Sequence, residues 1–161
     1  MKGLFLIFII LAALPLDAKN PGLIKEFEIE LSKFFDVDDI ILSEIGDLSS
    51  GEELFFSVLE QKEKNGLAVL TSAEGRIDHF DFMIVFNSEL QIVHLRILNY
   101  RSQYGEEIRS KRWLTQFYKK QTSDFNYGND IQAISGATLS AQSLTQKVNA
   151  IRNRLNEHFS D

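Results

Sequence analysis

Cysteine is absent from the chain, and with it go disulfides, thiolate nucleophiles, iron–sulfur clusters and the C-x-x-C-H attachment of haem. Any redox chemistry needs another cofactor. A basic excess is lacking too: 17 Lys and Arg stand against 23 Asp and Glu, for a formal net charge of -6. The field that phosphate-backbone binding requires is therefore missing, and no nucleic acid is expected as a partner. The three histidines show no H-x-x-x-H or comparable ligand spacing. Asp38-Asp39 is not followed by further carboxylates at the spacing of a calcium loop. No metal site is expected.

What is present is ordinary for one globular domain: 161 residues, 44% hydrophobic and 25% charged. Thirteen Phe against one Trp describe a core of flat apolar rings. The N-terminus reads Met1-Lys2-Gly3, then an apolar run from Leu4 to Leu14, then Pro15-Leu16-Asp17-Ala18. A basic start, a short apolar segment and a small residue at a cleavage point predict a signal peptide over 1–18 and a mature domain over 19–161. Export to the periplasm or beyond is the expectation, and an uncleaved membrane anchor is its alternative.

Asn20-Pro21 predicts a helix start, and Ile24, Phe27, Leu31, Phe34 and Phe35 give that helix one apolar face. Val37 to Ile45 fits a strand or a short helix. Leu54 to Leu59 and Leu67 to Thr71 predict a hairpin around a charged loop ending in Asn65-Gly66. Phe80 to Phe86 and Leu90 to Leu98 predict a second strand pair, so the fold class is α+β: one domain, an antiparallel sheet flanked by helices. In Asp78-His79-Phe80-Asp81 alternate side chains point to opposite faces, which prevents a converging metal site and predicts surface roles. His94 is expected at the sheet surface. Trp113, Leu114, Phe117 and Tyr118 predict one face of a helix. Lys111, Arg112, Lys119 and Lys120 near it are either a solvated basic face or a contact for a partner or a flavin.

Near the C-terminus, Ala133-Ile134-Ser135-Gly136-Ala137-Thr138-Leu139-Ser140 sets small residues and hydroxyls before a helix marked by Leu144, Val148, Ile151 and Leu155. Thr138 or Ser140 is the expected N-cap. Free amides and the positive dipole end of such a helix suit an anion, although a capped turn with no ligand satisfies the same local physics.

That turn, with its amphipathic helix, resembles the flavin-attachment motif of the FMN-binding domain family, which includes the C and G subunits of sodium-pumping NADH:quinone oxidoreductase and of the Rnf complex. The segment from Tyr100 to Phe117, a loop with Gly105 leading into Trp113-Leu114-Thr115-Gln116-Phe117, is similar to the family's middle section. The resemblance covers about residues 65–157 and implies an FMN joined by a phosphoester to Thr138, added from FAD by a magnesium-dependent flavin transferase. It implies an electron carrier or redox-complex subunit with membrane or periplasmic redox partners, more than a stand-alone enzyme. By the same resemblance Ser135, Gly136, Ala137 and Ser140 shape the phosphate site and Gly105 matches the family's middle-segment glycine. Tyr104 and Trp113 are placed as ring-lining candidates by position alone. Where the family carries an acidic residue six positions before the threonine, this chain has Gln132, with the nearest carboxylate at Asp130. The alternative reading is a flavin-free or reversibly ligand-binding periplasmic adaptor of the same fold.

Overall fold

The apolar runs between residues 54 and 100 fold as sequential strands joined by short connections. In the computed structural model, which describes residues 9–10, 20–37, 40–51, 53–60, 63–120 and 124–160, the strands β3 (Leu54–Glu60), β4 (Glu63–Glu74), β5 (His79–Phe86) and β6 (Ile92–Tyr100) pair antiparallel in chain order. The ambiguous stretch after Val37 supplies β2 (Ile41–Glu44), antiparallel to β3. Its cause is non-local: Ile41 to Glu44 lie opposite Leu59 to Phe56, a ladder that the local pattern does not specify. These five strands and the flanking helices make a single α+β domain. The pair Ile9–Ile10 (β1) lies parallel to β2, and the rest of the expected signal segment falls outside the described residues.

The first hairpin differs from its expected form. Asn65-Gly66 lies inside β4, with Gly66 opposite Val58 and Lys64 opposite Leu59 across a register shift. Close approach explains the glycine here: a Cβ on Gly66 would sit 2.3 Å from the Phe86 carbonyl oxygen of the neighbouring strand.

Helices cover both faces of the sheet. On one, α1 (Pro21–Phe35) begins at Asn20, whose side chain accepts from the Gly22 N–H at 3.0 Å. It buries Phe27 and Leu31 among Phe56, Val58, Met83 and Val85. On the other lie α2 (Lys111–Leu114) and α3 (Thr138–Phe159), packed on Phe55, Val69, Phe80, Phe82 and Ile84. Because both faces are covered, β5 is buried at every residue from Phe80 to Phe86, which explains the continuous apolar run from Phe82 to Phe86.

The single helix expected around Trp113 is instead two short pieces, α2 and a 3-10 turn over Thr115–Phe117. Tyr118 leaves the helical path and brings its hydroxyl to the Leu95 N–H at 3.1 Å, and the Lys119 N–H bonds the Ile92 carbonyl at 2.9 Å. The demand of the open β6 edge for partners outweighs helix continuation. Asp81, expected at the surface, is buried and forms an ion pair with Arg101. His94 is half-buried against Phe34, with ring centroids 4.7 Å apart.

Candidate functional site

Helix α3 starts without a side-chain cap. Its N-cap is Ala137, whose small side chain is buried, so Thr138 becomes the first helical residue, not the cap, and stands exposed. Ser140 lies deeper in the first turn, and its hydroxyl is 2.9 Å from the Tyr100 hydroxyl. Neither hydroxyl therefore caps the helix. Its first amides are open to an external acceptor, at the end where the helix dipole favours negative charge.

The Tyr100 hydroxyl fixes the geometry of this turn. It donates to the Tyr104 carbonyl at 2.7 Å and so accepts the Ser140 proton, tying the end of β6 to the start of α3. Gly105 passes through this junction at φ +89°, and a Cβ there would lie 2.5 Å from the Tyr100 oxygen and 3.6 Å from the Ala137 Cα. Only glycine meets both requirements without strain. Gly136 turns the chain at φ +86° beneath the Glu107 carboxylate, whose nearest oxygen would be 2.8 Å from an added Cβ. The fold thus sets Glu107 directly on the turn.

A cavity of about 290 Å³ opens here, bordered by Tyr104, Gly105 and the run from Gly136 to Ser140. Among the expected site residues, Tyr104, Gly105, Gly136, Ala137, Thr138 and Ser140 come together, and exposed Ser135 immediately precedes them. Trp113 is placed elsewhere. Its indole is buried edge-on to Phe117 at 5.6 Å and donates to the Gln132 carbonyl at 2.7 Å. The Gln132 N–H is held in turn by Gln116 at 2.9 Å, so the strap leading to the turn is pinned at both main-chain groups. The Gln132 side chain is left at an exposed position. Asp130 is occupied locally: it accepts from the Asn126 side chain and main-chain N–H at 2.8 and 3.0 Å, and these bonds hold its carboxyl below the usual range. Lys120, one of the four clustered cations, bonds the Asp130 carbonyl at 2.7 Å.

Arg76 is the site residue that sequence reasoning missed. It comes from the β4–β5 connection, borders the cavity, and sets its guanidinium 5.9 Å from the Tyr104 ring centroid. Among the described residues it has no ion-pair partner. No local pattern marks it, because only the strand register brings this connection to the start of α3. Of the residues bordering the cavity, Tyr104 and Leu139 are exposed by 61% and 56%, which gives the site an apolar rim.

Among the described residues no group of acidic or imidazole side chains could hold a metal ion, and no helix is long and apolar enough to cross a membrane. An anionic group linked to a flat ring fits what is present: uncapped amides, a cradle kept open by Gly105 and Gly136, the Arg76 guanidinium and an exposed tyrosine. None of the curated proteins matches the chain. The family model of the FMN-binding domain matches residues 54–153, a span from β3 into α3 that holds both the Gly105 loop and the Ser-Gly-Ala-Thr turn. The chain therefore belongs to the FMN-binding domain family.

Proposed function

We propose that this protein is an exported electron carrier whose FMN is held through a phosphoester on Thr138. One observation carries the reading: Thr138 presents its hydroxyl from an exposed first position of α3, beside amides that no side chain caps. In the attachment step the Thr138 oxygen bonds to the flavin-side phosphorus of FAD, the pyrophosphate bond breaks, AMP leaves and the hydroxyl proton passes to the transferase. The resulting diester would be held by the α3 amides and faced by Arg76, while Gly105 and Gly136 keep the main chain close. Bound FMN would supply electron transfer; Tyr104 and Leu139, both bordering the cavity, offer apolar surface to its ring. Tethering suits a compartment where no pool replaces lost cofactor. The signal-like pattern Lys2, Leu4 to Leu14 and Ala18 supports export, with a flavin transferase and membrane or periplasmic redox proteins as partners.

A second reading, a reversible ligand-binding or flavin-free adaptor, is favoured by Gln132. Its side chain carries no charge, and Asp130 is engaged by Asn126 and does not replace the missing acid. Co-expression with a flavin transferase separates the two. The covalent reading expects flavin fluorescence on the denatured polypeptide, an intact mass raised by one FMN less one water, and loss of both in Thr138→Ala. Flavin released on denaturation supports the reversible reading. Equal labelling of Thr138→Ala would move the attachment to another residue.

A further inference from the structure

A second cavity is larger than the one at the turn. A groove of about 630 Å³ runs between α1, the β6 edge and α2. Ile97, Leu114, Phe34 and Tyr118 give it apolar walls, and Lys33, Arg96, Arg109 and Lys111 place four cations around it. Only one carboxylate, Glu30, belongs to the lining, and it is already shared by Lys33 and Arg96, each at 3.1 Å. Arg109 and Lys111 have no ion-pair partner among the described residues. In a chain of net charge -6 this is a local reversal of sign. The His94 Nε2 in the same wall is buried without a hydrogen-bond partner.

The β6 edge narrows the choice of occupant. A peptide adding as a strand would need the main-chain groups of that edge, but Leu95 N–H already bonds Tyr118 and Ile92 C=O already bonds Lys119. Recognition is left to side chains. Cations at the rim and rings in the walls suit a compact molecule, and the volume lies within the range of small-ligand pockets.

We propose that this groove is a second binding site, for a small organic anion: a carboxylate or phosphate head set against Arg109 and Lys111, with an apolar body against Phe34, Leu114 and Ile97. The site is separate from the flavin cavity, though the turn over Glu106–Arg109 joins them, with Gly105 at one end bordering the first and Arg109 at the other bordering the second.

The probe is 2-naphthoate, titrated into the full chain carrying Thr138→Ala so that flavin attachment plays no part, with amide shifts followed by NMR. Saturable shifts at residues 94–97 and 109–115 are expected, with a Kd on the order of 1 mM or tighter. The uncharged 2-naphthamide should bind about tenfold more weakly or worse, and so should 2-naphthoate to Arg109→Glu/Lys111→Glu. Both substituted residues are exposed, so that variant should unfold at an unchanged temperature. Equal binding of the amide, unchanged affinity in the double variant, or shifts confined to 136–140 would each overturn the proposal. So would an oligoglutamate peptide that occupies the groove more tightly than 2-naphthoate, because the occupant would then be an acidic protein segment. Failure here leaves the Thr138 reading untouched, since that is read by flavin on the polypeptide.

Discussion

Thr138 owes its exposure to residues that never touch solvent. Ala137 and Ser140 are drawn inward, Ala137 by packing beside Gly105 and Ser140 by the Tyr100 hydroxyl, which leaves Thr138 and Leu139 between them facing outward. Tyr100→Phe should cost about 1–3 kcal/mol, because it leaves the buried Ser140 hydroxyl and the Tyr104 carbonyl without their partner. Thermal unfolding reads that loss, and flavin loading on Thr138 should fall with it. The two glycines should behave differently. Gly105→Ala combines φ +89° with a collision against a doubly bonded hydroxyl and should cost about 2–4 kcal/mol. Gly136→Ala meets only the mobile end of Glu107 and should cost about 1 kcal/mol, chiefly from its φ of +86°. Equal losses in denaturant unfolding would contradict this picture. At this scale the sequence showed which residues are small and hydroxylated at the turn. It did not show which hydroxyl faces out, since that depends on Tyr100, nor that Arg76 joins them, since that depends on strand pairing.

Among the elements, the meander and both long helices were legible because their signals are local: period-two or continuous apolar runs, an Asn-Pro start, apolar residues every third and fourth position. Strand β2 and the broken α2 segment were not, because the first answers to its pairing with β3 and the second to the β6 edge, partners that the local pattern does not specify. The contact of α1 with β6 also creates a pH dependence. Burial pushes the His94 pKa below 6.5, helped by Arg96 and Lys111 and opposed by Glu30, so the folded protein binds this proton less readily than the unfolded chain. Between the folded value and 6.5 the unfolded state holds more protons. Stability from neutral His94 is thus complete above about 6.5 and lost as pH falls through the folded value. Urea midpoints of the parent and of His94→Phe, compared at neutral and mildly acidic pH, should show the parent losing more on acidification than the variant. A parallel response of the two proteins would remove His94 as the cause.

For the molecule as a whole, the family match begins at residue 54, yet the fold does not. Residues 54–161 alone would lack α1 and β2, uncovering the face formed by Phe56, Val58, Leu70, Met83 and Val85. Losing the burial of Phe27 alone, as in Phe27→Ala, should cost about 3–5 kcal/mol. The fragment forfeits that contribution together with those of Leu31 and Leu42, a loss on the scale of a small domain's whole stability. It should lack a cooperative thermal transition and bind an apolar dye, where the full chain should show one sharp transition. A cooperative melt of the fragment would show that the matched segment folds by itself. The two-sided cover also supports the turn: α3 packs on a sheet that is itself backed by α1.

Trp113 does not border the cavity, but its indole N–H grips the carbonyl of Gln132, on the strap that leads into the Ser-Gly-Ala-Thr turn. It is the only tryptophan in the chain. Nature has thereby installed a single ultraviolet beacon beside the strap, in a wavelength range whose emission an oxidised flavin absorbs. On the function proposed above, loading Thr138 should dim that emission and shorten its lifetime, and reducing the flavin should restore part of both, so the protein's own fluorescence would test that proposal with no added label.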